Sequence, residues 1–119
     1  MKTRSIIFAA LCAAAPAFAE APKVVNAVAH STGMGWDFDV TLAHEDTGWD
    51  HYADGWEIVD ATGKVLGTRI LHHPHVNEQP FTRSLRHVMV PDGTREVFVR
   101  VKCSQDGWKD SGFKVSLSR

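Results

Sequence analysis

The segment Trp36-Asp37-Phe38-Asp39-Val40-Thr41-Leu42 alternates strictly between apolar and polar side chains. Successive side chains of an extended chain point to opposite faces. Trp36, Phe38, Val40 and Leu42 therefore line one face, and Asp37, Asp39 and Thr41 the other. A strand of this kind packs one face on a core and wets the other. The same period returns from Glu96 to Cys103, with Val97, Val99, Val101 and Cys103 in phase, and again in Phe113, Val115 and Leu117. Lys23 to Ala29, Trp56 to Asp60, Val65 to Leu71 and Phe81 to Val90 are the other predicted strands. Ser31 to Gly35, Ala61-Thr62-Gly63, Pro91-Asp92-Gly93 and Gln105-Asp106-Gly107 supply turn chemistry between them. No stretch keeps a helical period. Seven short strands with regular turns predict an all-β fold, an antiparallel β-sandwich.

That pattern resembles a fibronectin type III or immunoglobulin-like domain. Trp36 sits where the fibronectin type III family carries a tryptophan on its second strand. The run from Ser84 through Pro91-Asp92-Gly93 to Val101 is similar to the family's passage from fifth to sixth strand, with Val97 and Phe98 where a tyrosine is usual. A second resemblance is carried by Gly48-Trp49-Asp50-His51-Tyr52-Ala53-Asp54, His73-Pro74-His75-Val76 and Glu78-Gln79-Pro80-Phe81-Thr82-Arg83-Ser84. These segments are similar to a family of small secreted bacterial proteins with no established activity. The resemblance implies a periplasmic setting and brings no functional residue with it.

The first nineteen residues stand apart from this pattern. Lys2 and Arg4 open a charged start, Ile6 to Ala15 are apolar, and Ala17-Phe18-Ala19 reads as a cleavage site. This is the layout of a secretory signal peptide, and it is too short to span a membrane. Residues 20–119 are then expected to form one domain, exported to the periplasm. Cys12 falls within the leader, and Leu11 before it does not suit a lipoprotein cleavage box. Without Lys2 and Arg4, eleven basic residues face fourteen acidic ones, a net charge of −3 with histidines neutral. Such a balance argues against nucleic acid and anionic membranes as partners. Cys103 alone remains after processing, so no internal disulfide is expected, and packing or a metal must stabilise the domain.

Candidate chemistry concentrates in loops. Leu71-His72-His73-Pro74-His75 places three of the chain's seven histidines within four positions. In a sandwich of this topology the loops after strands two, four and six share one end. Those loops, at 44–54, 72–80 and 104–112, offer His44, Glu45, Asp46, Asp50 and His51, then His72, His73, His75 and Glu78, with Cys103 and Asp106 bordering the third. Imidazole is a common ligand for copper and zinc because its lone pair is available at neutral pH. His73 and His75 project to the same side of an extended chain, and Pro74 stiffens the link between them. The expected metal ligands are His73, His75, His51 and His44, with copper or zinc as the ion.

Plainer readings stand beside this one. The histidines can simply bond loop backbone, and Cys103, in phase with three valines, can be a buried inert thiol. As the functional alternative to that first reading, it sits at the loop-bearing pole, where its thiolate could join histidines on copper or zinc. Trp49, Tyr52 and Trp108 are placed in the loops, Trp36 and Trp56 in the core. Loop aromatics beside acids suit a protein partner docking on 44–54, 72–80 and 104–112. Arg83, Arg86, Arg95 and Arg100 are assigned only cross-strand pairing with Asp37, Asp39 or Glu57. No G-x-S-x-G, H-E-x-x-H or phosphate-binding glycine loop occurs, so no enzyme is expected. The reading is a periplasmic binding protein handling a transition metal, with a protein-interaction module as the rival.

Overall fold

The computed structural model describes residues 20–118; residues 1–19, read above as a leader, lie outside the described residues. Among the described residues there are seven strands and no helix. They are β1 (Lys23–Thr32), β2 (Gly35–Ala43), β3 (Ala53–Val59), β4 (Val65–Ile70), β5 (Phe81–Val88), β6 (Glu96–Cys103) and β7 (Gly107–Ser116). Two antiparallel sheets result, a three-stranded one ordered β1-β2-β5 and a four-stranded one ordered β4-β3-β6-β7.

The core forms where the apolar faces of the two sheets meet. Trp36, Phe38, Val40 and Leu42 are buried on β2, and Val97, Val99, Val101 and Cys103 on β6, as their alternation requires. β3 is central in its sheet and buried along most of its length, Trp56 and Ile58 completely. Burying side chains of this size stabilises the fold by about 1.5–3 kcal/mol each. The buried carboxylate of Glu57 is matched by Arg100 at 2.9 Å on the neighbouring strand. Trp36 and Trp56 are core residues, as expected.

Two boundaries differ from the sequence reading. β1 continues to Thr32, because Gly33 and Met34 make a two-residue turn directly into β2 at Gly35. β7 begins at Gly107, so Trp108 is a strand residue rather than a loop one. Its ring lies over β3, where a Cβ on Gly55 would stand 3.4 Å from it. The early half of β7 escaped the pattern because its pairing with β6 shifts between Val99 and Arg100. A bulge of this kind breaks the period of two that marks a strand in sequence.

Chain direction puts the connections after β2, β4 and β6 at one end. Three sets of hydrogen bonds lock them together there. Tyr52 and Ser104 exchange bonds, Tyr52 N donating to Ser104 Oγ at 3.0 Å and Ser104 N to Tyr52 O at 2.9 Å. Gln105 Nε2 donates to Asp50 O at 3.1 Å. His75 N donates to Asp46 Oδ2 at 2.7 Å.

Candidate functional site

This pole is built around Asp46, whose carboxylate is fully buried. Oδ1 accepts the Ala53 N–H at 2.9 Å and lies 2.5 Å from His44 Nδ1, while Oδ2 takes the His75 N–H. A buried carboxylate is tolerated only when such donors replace its water. Here the three donors belong to the end of β2, the start of β3 and the His/Pro loop. Gln79 reinforces the same junction, accepting from His44 N at 3.0 Å and donating to His75 O at 2.9 Å.

His51 reaches the pole from the tight turn that follows. Its N–H donates to Gly48 O at 3.2 Å, and its carbonyl accepts from Thr47 N at 3.0 Å. Gly48 adopts φ 145°, a conformation that side chains disfavour, and this lets the loop fold back on itself. The His51 ring meets His44 edge to face, centroids 4.7 Å apart. His51 Nε2 is buried and has no hydrogen-bond partner among the described residues.

Cys103 closes β6, paired with Ala53 on one side and Gly107 on the other. It is 1% exposed. Sγ accepts from Asp106 N at 3.3 Å, and the thiol donates to Asp106 Oδ2 at 3.6 Å. One nitrogen each from His44 and His51 and the sulfur of Cys103 all lie within 4.8 Å of one another. Bond lengths of about 2.0 Å to nitrogen and 2.3 Å to sulfur put donors roughly 3.3–3.7 Å apart around one ion. The three donors thus stand no more than about 1.5 Å further apart than donors around one ion. Because His44 gives Nδ1–H to Asp46, its Nε2 lone pair is the one left over, the usual support for a metal-bound histidine.

His73 and His75 are placed elsewhere. Their rings do face each other at 4.5 Å, as the x-Pro-x spacing requires. His75, however, is buried and stacked on Phe81, ring centroids 3.9 Å apart and nearly parallel. Its Nε2 accepts from Arg83 Nη2 at 2.9 Å, so that lone pair is occupied. Burial first, then the charge of Arg83 and the neighbouring His73, lower its pKa from the ordinary 6.5, against weaker opposing pulls from Glu78 and Asp46. His73 is exposed, with Nδ1 beside the Pro74 carbonyl at 3.1 Å, and His72 is exposed as well. The grouping of three potential donors joins His44 and His51 with Cys103, not with His73 and His75.

Arg83 is the residue that sequence reasoning passed over, whereas Asp46 was counted among the loop's candidate ligands with nothing to mark it as the buried centre of the pole. Arg83 was given a surface role, yet it contacts His75 Nε2, Glu78 and its neighbour's carbonyl. An open groove of about 930 Å³ leads to the pole, lined in part by Glu20, Lys23, Glu45, Val76, His44 and His51.

The chain is similar to a protein of Halomicrobium mukohataei named "Putative lipoprotein", with 44% identity over 79 residues. The match takes in 66% of this chain and 38% of the relative, so the chain spans well under half of that protein's length. No protein-family model and no solved structure matches the chain.

Proposed function

We propose that this is an exported binding protein that captures a transition-metal ion, copper or zinc, at its loop pole. The observation that carries the reading is the convergence of His44, His51 and Cys103 donors within 4.8 Å, with Asp46 orienting one of the imidazoles. Two nitrogens and a thiol suit borderline and soft ions. Glu20, Glu45 and Asp46 outnumber Lys23 along the groove, and this negative bias favours a cation on its way in. An envelope location is supported by the charged and apolar leader pattern and by the name of the Halomicrobium relative. The strand orders β1-β2-β5 and β4-β3-β6-β7 support the finer reading of a fibronectin type III-like sandwich. The activity proposed is non-enzymatic, metal holding or delivery.

The test is equilibrium titration of the purified protein with zinc and with copper in separate runs. One ion per chain is expected, with binding lost in His44→Ala and in His51→Ala and kept in His73→Ala. Failure of the wild type to bind either zinc or copper in a chelator-free buffer overturns the proposal.

A second reading has one specific observation behind it. Trp49 is 69% exposed at the same pole, held edge to face against Tyr52 at 5.6 Å. An exposed tryptophan braced by a half-buried tyrosine is a good anchor for a protein partner.

A further inference from the structure

Resting on the metal reading above, we propose that the ion is copper, bound through the sulfur of Cys103. The donor set decides between the two candidates. For sites of imidazole and thiolate, intrinsic affinity rises along the first-row metals to copper and falls again at zinc. A protein that favours zinc works against this order by imposing a closed tetrahedron, and structural zinc sites carry four protein donors to do so. Here three donors converge, and among the described residues no fourth histidine, cysteine or carboxylate joins them within the same reach.

Asp46 is not that fourth donor. Its Oδ1 already serves His44 and Ala53, and its Oδ2 serves His75. With nothing to enforce a tetrahedron, the intrinsic order prevails and copper comes first. Two imidazoles and one thiolate are also the donor set of trigonal copper–thiolate centres, whose behaviour depends on hydrogen bonding at the sulfur. Cys103 Sγ has such a bond, from the backbone N–H of Asp106 at 3.3 Å.

Binding replaces one bond by another. The S–H bond of Cys103 breaks as the S–Cu bond forms, and the proton, held toward Asp106 Oδ2 in the free protein, is released to solvent. No electron changes hands in this step. The carboxylates of Asp46 and Asp106, both adjoining the donors, offset charge that the ion brings into a buried place.

The test is spectroscopic and competitive. The full protein is titrated with copper(II) under argon and the visible spectrum recorded, and copper and zinc are then competed in one buffer. An intense sulfur-to-copper charge-transfer band at one equivalent is expected, with copper held more than about tenfold tighter than zinc. Cys103→Ser, with folding checked by its thermal transition, should lose the band, whereas His73→Ala should keep it. Copper binding without the band, or with a band that survives in Cys103→Ser, overturns the sulfur assignment. Zinc equal to or tighter than copper overturns the choice of ion while the capture reading stands. Binding of neither ion removes both.

Discussion

His44 Nδ1 and Asp46 Oδ1 lie 2.5 Å apart, two residues from each other in sequence and both buried. The short polar link between β2 and β3 therefore turns its own acid back onto its own histidine. The pairing fixes which imidazole nitrogen carries the proton and leaves the lone pair of the other available to a ligand. It also makes the carboxylate a structural keystone, since the same two oxygens serve Ala53 and His75.

Replacing Asp46 separates these two duties. Asp46→Ala strands three buried N–H groups, each costing about 1–3 kcal/mol when unpaired. A loss of at least about 3 kcal/mol is expected from urea denaturation. Asp46→Asn keeps an acceptor of the same shape and should cost less. It should still weaken ion binding about 10- to 100-fold, as the loss of a histidine's supporting carboxylate does elsewhere.

The pH dependence of stability should carry the mark of His75. Its pKa in the fold is lowered from 6.5 by burial and by Arg83, so the unfolded chain takes up its proton first as pH falls. The stabilisation is complete above about pH 6.5 and is lost as pH falls toward the lowered value. Urea midpoints measured between pH 7.5 and pH 5 should decline, and His75→Gln should flatten the decline. An equal slope in both proteins would show that other groups dominate it.

At the opposite end of β2, Gly35 offers a control that touches no donor. It has φ 136°, and a Cβ there would stand 2.7 Å from the Val88 carbonyl oxygen. Gly35→Ala should cost about 1–3 kcal/mol through backbone strain and that clash. Ion affinity of the folded protein should be unchanged, as measured by the same titration.

Ion binding should also raise the melting temperature. An ion at a hundred times its Kd stabilises the native state by about 2.7 kcal/mol. Calorimetry with and without copper should show this increment in the wild type and in His73→Ala. It should be absent in His51→Ala.

Much of the fold was legible because alternation states directly which side chains face inward. Trp36 to Leu42 and Val97 to Cys103 are buried in the phase that their spacing dictates. The gathering of the loops after β2, β4 and β6 followed from strand count and antiparallel order. What stayed hidden depended on partners rather than on facing. Period and proline spacing put His73 and His75 on one side, and their rings do meet. Neither could tell that Arg83, eight residues on, would occupy His75 Nε2. In the same way, Cys103 was correctly placed pointing inward, but its nearness to His44 and His51 spans more than fifty residues of chain and leaves no local trace. Asp46 was legible as an acid of its loop but not as the centre of the pole, because its partner His75 is 29 positions away.

His44 follows the last residue of a strand in the three-stranded sheet, and Cys103 is the last residue of a strand in the four-stranded one. Whatever joins them at this lip is a clasp across two layers that no disulfide among the described residues ties together. A pull that tries to slide one layer past the other would have to open the clasp before it could reach the packed interior. The loaded protein should therefore resist stretching in a way that the empty one does not.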